Sequence, residues 1–88
     1  MIERSARVVN ELGLHARPAA QFVKLASTFA CNIEVAKDDL TINGKSIMGV
    51  MMLAAEQGST LTIRATGDDA EAALTALVQL VETGFGES

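Results

Sequence analysis

The 88-residue chain has no tryptophan and no tyrosine, and its aromatic side chains are Phe22, Phe29 and Phe85. Small modules that hold single-stranded nucleic acid stack bases on aromatic platforms, so three scattered phenylalanines leave little for that purpose. Basic charge is also scarce. Seven Lys and Arg against eleven Asp and Glu give a net charge of −4, the wrong sign for a phosphate-backbone binder. Cys31 is the sole cysteine and His15 the sole histidine, which excludes an internal disulfide and a Cys/His zinc site and fits a reducing cytoplasm. Long apolar runs are missing too. The longest, residues 47–55 with Gly49 inside it, falls well short of the roughly 20 residues of a membrane span. Met1-Ile2-Glu3-Arg4-Ser5 lacks the apolar stretch of a signal peptide. These absences predict a soluble cytoplasmic chain with no nucleic-acid partner, no membrane insertion, no metal and no cofactor.

What is present is an ordinary globular composition: 49% hydrophobic and 20% charged, enough apolar material for one small domain over residues 1–88. The charge is uneven. Residues 3–45 hold six basic and five acidic side chains, while residues 46–88 hold Arg64 and six acidic ones, so any basic face must come from the first half.

Hydrophobic periodicity alternates between two and 3.6 along the chain. Residues 4–10 alternate weakly, with Ala6 and Val8 against Ser5 and Arg7, and predict a strand. From Pro18 the apolar spacing becomes helical through Ala19, Phe22, Val23, Ala26 and Phe29 or Ala30. Proline is tolerated in a first turn, where its missing N–H has no intrahelical partner, so this helix starts within a residue or two of His15-Ala16. Residues 32–37 and 40–42 alternate around Asp38-Asp39 and read as a hairpin. Asn43-Gly44 breaks it, and Ser46 suits the N-cap of a second helix that ends near Gly58. Thr60 to Thr66 alternates most cleanly, with Leu61, Ile63 and Ala65 on the inner face. Asp68 three residues before Glu71 reads as a capping box for a third helix, whose apolar stripe runs from Ala70 to Val81. Four one-sided strands and three helices in the order β-α-β-β-α-β-α predict a two-layer α+β sandwich, helices on one face and water on the other.

Among polar side chains His15 stands out. It lies in Gly13-Leu14-His15-Ala16-Arg17-Pro18-Ala19, between a turn glycine and a helix start, where the backbone N–H of Ala16 and its neighbours and the positive end of the helix dipole stabilise a phosphate. Arg17 adds a charge-assisted partner. An unperturbed imidazole has a pKa of about 6.5 and is a usable nucleophile near neutrality. The plainer alternative makes His15 a polar cap and Arg17 a solvated charge. A second feature is the Ser46 helix: Met48, Met51, Met52 and Ala55 form one apolar face and Ile47, Val50 and Ala54 another. One helix layer buries only one of them, which leaves a pliable docking patch, unless Gly49 lets the helix sink until both are core. Gly44-Lys45-Ser46 imitates the end of a P-loop but lacks the required glycine at Asp39. Asp38-Asp39 and Asp68-Asp69 are explained by turns and caps. Cys31, beside an alternating strand, reads as a small buried hydrophobe.

Together, the His15 motif and Lys45-Ser46-Ile47-Met48-Gly49-Val50-Met51 resemble the HPr family, the histidine-containing phosphocarrier proteins of the bacterial phosphoenolpyruvate-dependent sugar phosphotransferase system. The resemblance covers nearly the whole chain and implies an open-faced β-sandwich with a four-stranded antiparallel sheet. It implies that His15 accepts a phosphoryl group on Nδ1 from enzyme I and passes it to IIA domains of sugar permeases. Such a protein is a transfer intermediate and not a free-standing turnover enzyme. Arg17 stabilises the phosphate, Ala16 offers a backbone N–H, and Pro18 stiffens the turn. Lys24, Lys45, Ile47, Met48 and Met51 are the docking candidates on a monomer. Ser46 matches the family's regulatory serine, the target of HPr kinase/phosphorylase. Two departures bear on the branch. Ser27 and Thr28 stand where sugar-branch members often carry another basic residue, and the ending Thr83-Gly84-Phe85-Gly86-Glu87-Ser88 is similar to the nitrogen-related branch. Three readings stay open: a sugar phosphocarrier, a nitrogen-branch regulatory homologue acting by binding targets, and a non-phosphorylated α+β binding module.

Overall fold

The computed structural model describes residues 1–87. Its elements are β1 (Ile2–Arg7), α1 (Ala16–Ala26), β2 (Asn32–Lys37), β3 (Leu40–Asn43), α2 (Ile47–Met52), β4 (Thr60–Thr66) and α3 (Ala70–Glu82), followed by a 3-10 turn, Gly84–Gly86. The four strands form one antiparallel sheet in the order β1-β4-β2-β3, with all three helices on one face. This is the open-faced α+β arrangement predicted from the pattern.

Register explains the one-sided burial. Ala6 lies opposite Leu61, Val35 opposite Ile63, and Ile33 opposite Ala65; all six are buried. Since side chains alternate across a strand, the intervening positions Glu3, Arg64 and Glu34 share the open face. There Arg64 sits across from both glutamates and its Nε donates to Glu3 Oε1 at 3.1 Å. The helices supply Phe22, Val50, Leu74, Leu77 and Val81 to the other side of the core. Arg4, near the sheet edge, reaches over that side to α3, where its guanidinium bonds Thr75 Oγ1 at 3.0 Å and Glu71 Oε1 at 2.7 Å.

Helix α1 stops at Ala26, short of the expected Phe29 or Ala30, where the chain leaves through turn bonds from Thr28 N to Leu25 O and from Phe29 N to Ala26 O; four further expectations need correction. First, β1 spans Ile2–Arg7 and not residues 4–10. Its partner strand begins at Thr60, opposite Arg7, so beyond that point the pairing runs on only through Val8, bonded to Ser59 and Gly58, and Asn10 turns inward. Second, α2 stops at Met52, well before Gly58. Ala54 adopts φ +49°, which breaks the helix and lets Leu53 and Ala55 both enter the core. Third, α2 does not divide into the expected faces. Val50 is the residue it buries, whereas Ile47 is exposed together with Met48, Met51 and Met52. Fourth, Asp68 does not cap α3. Asp69 is the N-cap position, and its carboxylate reaches away to accept the backbone N–H of Ala30 at 2.8 Å and of Cys31 at 2.9 Å. That clasp ties the start of α3 to the start of β2.

Candidate functional site

The loop before α1 places His15 at the N-cap, with extended backbone (φ −79°, ψ −173°). Its carbonyl accepts the first helical bond, from Ala19 N at 3.0 Å. The amides of Ala16 and Arg17 therefore lie at the open end of the helix with no intrahelical acceptor, and Pro18 has no N–H to satisfy. His15 makes no side-chain cap bond to this turn, so its ring stands beside the helix mouth. Gly13 shapes the approach. It adopts φ +67°, and a Cβ there would lie 2.4 Å from Ala55 O, so only glycine fits. Leu14 N donates to that same Ala55 carbonyl at 2.8 Å, which joins the histidine loop to the segment that follows α2.

The ring is oriented from the far end of the chain. His15 Nε2 lies 3.0 Å from Glu87 Oε1. A carboxylate only accepts, so Nε2 carries the proton and neutral His15 has its lone pair on Nδ1. Asn10 Nδ2 donates to the same Glu87 oxygen at 3.1 Å and to Gly13 O at 2.8 Å. Asn10 is 1% exposed, and its Oδ1 is buried with no hydrogen-bond partner among the described residues. His15 and Asn10 as donors, with Arg17 as a nearby charge, hold the Glu87 carboxyl below the usual carboxylate range against the opposing effect of partial burial.

His15, Arg17 and Glu87 line one open depression together with Glu11, Leu12 and Gly86. Helix α2 packs against α1, and its Met48, Met52, Ile47 and Met51 are exposed by 69%, 64%, 41% and 40%. These values decide the question left by the pattern: the methionine face is surface, not core. Gly49 does pack closely, since a Cβ on it would be 3.2 Å from Ile42 Cβ, yet the methionines stay outside. Ser46 is the N-cap of α2, its Oγ accepting from Gly49 N at 3.1 Å. Lys24 is exposed in the last turn of α1. Lys45 is different: its half-buried ammonium donates to Phe29 O at 2.7 Å, closing the segment between α1 and β2. Cys31 is buried, and desolvation followed by the Asp69 carboxylate pushes its thiol up.

The local pattern of the sequence placed His15, Arg17 and the helix mouth together. It missed Asn10 and Glu87. Asn10 left a faint trace as a lone amide between apolar Val9 and the glycine turn, whereas Glu87 is 72 residues from the ring it touches and has no local signal at all.

Comparison with known proteins agrees with this geometry. The family PTS-HPr, described as "PTS HPr component phosphorylation site", matches residues 2–83. The phosphocarrier protein HPr of Cupriavidus necator is 42% identical over 87 residues, 99% of this chain and 98% of its own. The crystal structure of HPr-C-His from Thermoanaerobacter tengcongensis is 50% identical and superposes with a TM-score of 0.95 over 100% of this chain and 99% of that one. An HPr dimer from the same organism, also 50% identical, superposes at 0.79 and covers 99% of this chain and 100% of that one. With the histidine at the mouth of α1, the open-faced sheet and near full-length similarity all in agreement, this chain belongs to the PTS-HPr family of phosphocarrier proteins.

Proposed function

We propose that the chain accepts a phosphoryl group from phospho-enzyme I on His15 Nδ1 and passes it to IIA domains of sugar permeases. The observation that carries this reading is His15 at the N-cap of an 11-residue helix, with Nε2 engaged by Glu87, so that Nδ1 is left free for chemistry, in an open depression that Arg17 also lines. In phosphoryl transfer the protein mainly positions groups and neutralises charge. The helix mouth, with the amides of Ala16 and Arg17, and the Arg17 guanidinium supply both, and Pro18 stiffens the turn without needing an acceptor. A site open to solvent binds the phosphate loosely enough to release it. Ile47, Met48 and Met51 form an apolar docking face next to the depression, with Lys24 and Arg17 as its basic rim. Lys45 contributes only as far as its bond to Phe29 O leaves it. The protein acts as a cytoplasmic monomer, because one copy holds every residue of the site, and HPr kinase/phosphorylase acts on Ser46.

The nitrogen-branch alternative draws on the ending. Gly84-Phe85-Gly86-Glu87 returns to the histidine and so belongs to the site and not to a trailing tail. The two branches differ in which IIA-type protein receives the group. Intact-mass analysis after incubation with enzyme I and phosphoenolpyruvate tests the shared step. A single acid-labile phosphoryl adduct is expected on the wild-type chain and none on His15→Ala, which stays folded because a helix-start residue adds little to the core. No adduct on the wild type overturns both branches in favour of a binding module.

A further inference from the structure

We infer that Glu87 is a positioning residue for transfer at His15, holding the proton on Nε2 in every state of the cycle, and that Asn10 and Phe85 hold Glu87 in place. This rests on the reading of His15 as phosphoryl acceptor and adds the residues that prepare its ring. The seat is built from buried parts. Asn10, 1% exposed, gives its amide N–H groups to Glu87 Oε1 and Gly13 O. Both partners only accept, so the amide has one workable orientation, and that orientation leaves Oδ1 buried without a partner among the described residues. A polar side chain kept inside with one atom unsatisfied is held there by what its other atom does.

The tail has its own anchor. Gly84, Phe85 and Gly86 all adopt positive φ, +71°, +58° and +76°, and the chain coils back through Glu87 N to Gly84 O at 2.8 Å. A β-substituted residue resists this left-handed region. Phe85 occupies it because its ring is buried, 4% exposed, in the core. Phe85 therefore fixes where the next two residues emerge, and Glu87 emerges at the histidine.

The chemistry needs that proton in both directions. On acceptance the Nδ1 lone pair forms the N–P bond while the donor's bond to phosphorus breaks and the donor keeps its electron pair. Nε2 keeps its proton, the ring becomes cationic, and the Glu87 carboxylate faces the new charge. On release the acceptor's lone pair attacks phosphorus and the N–P pair returns to Nδ1. The ring then leaves as neutral imidazole, because Nε2 never lost its proton. Without a partner on Nε2 that proton exchanges with water, and a ring that has lost it must leave as imidazolate, a far poorer leaving group.

The test pairs a spectroscopic readout with a rate, using the full chain. Nitrogen-15 NMR of His15 should show a slowly exchanging Hε2 in the wild type, lost in Glu87→Ala and restored in Glu87→Gln, whose amide oxygen accepts the same two bonds. Labelling by enzyme I and phosphoenolpyruvate, and return transfer, should both slow in Glu87→Ala by roughly 10- to 100-fold, the loss that removing an outer partner of a ring nitrogen produces at metal sites. Glu87→Gln should recover most of that rate. Equal Hε2 exchange in the wild type and Glu87→Ala, equal labelling rates, or a Gln variant with Hε2 restored and the rate not, each overturns the positioning role. A wild-type chain that takes no label overturns the phosphocarrier reading itself, so the two failures are told apart.

Discussion

Asp69 is the second carboxylate held below its ordinary range, and its role differs from that of Glu87. Its oxygens accept the Ala30 and Cys31 amides, and these bonds, with the Cys31 thiol, favour the ionised form more strongly than desolvation opposes it. A carboxyl whose folded pKa is depressed contributes stability that is present above its unfolded value, near pH ~3.9, and is lost as pH falls through the folded value. Asp69→Asn should therefore lower the melting temperature at pH 7. It should also flatten the decline in stability below about pH 4, followed by circular dichroism across an acid titration. An unchanged acid limb would mean that the clasp between α3 and β2 contributes nothing. Glu87 obeys the same sign, but it is bonded to the histidine of the site, so its removal should be read at the ring and not through global stability.

At the scale of elements, helix starts carry the polar functions. Both α1 and α2 begin at a residue with extended backbone, yet His15 leaves its helix mouth open while Ser46 fills its own by accepting from Gly49 N. Removing an N-cap hydroxyl costs about 1 kcal/mol, so Ser46→Ala should lose roughly that in chemical denaturation. Ser46→Asp keeps an acceptor for Gly49 N and adds negative charge at the positive end of the helix, so stability should stay level or rise. The same charge stands at the edge of the exposed Ile47, Met48 and Met51 face and opposes an acidic partner surface. Labelling of His15 by enzyme I should consequently slow in Ser46→Asp while melting stays level. Labelling at the wild-type rate would leave Ser46 as a cap and nothing more.

Over the whole molecule, burial separates residues that build the fold from residues that use it. Leu74 is fully buried between α3 and the sheet, and Leu74→Ala should destabilise by about 2–5 kcal/mol, since a cavity remains where the side chain was. Met51, exposed by 40% on the shortest helix, should tolerate Glu within about 0.5 kcal/mol, as surface substitutions do. On the proposed transfer, its loss should appear instead as weaker binding to enzyme I and to the IIA partner alike, since both would have to reach the same histidine. Calorimetry of the two variants beside titration against enzyme I reads both quantities. A Met51→Glu protein that melts like Leu74→Ala would return the methionine face to the core.

Alternation in residues 32–37 and 60–66, the 3.6 spacing of α1 and α3, and Pro18 in a first turn determined the element order and one-sided sheet. Each of these signals acts between residues a few positions apart and survives without tertiary contacts. The same locality made His15, Arg17 and the helix mouth legible, because a cap and its helix are neighbours in the chain. Tertiary structure alone decided the rest. The end of α2 depends on Leu53 and Ala55 finding the core, a competition between helix propensity and burial that periodicity does not weigh. Asp69 took the N-cap position expected of Asp68, and its carboxylate turned instead to amides 38 and 39 residues away, where two donors were available. Glu87 reaches His15 only because Phe85 is buried in a left-handed turn and Asn10 is enclosed beneath Gly13 and the tail. Contacts across most of the chain are set by packing of the assembled core, so the local pattern carries no trace of which proton the histidine keeps.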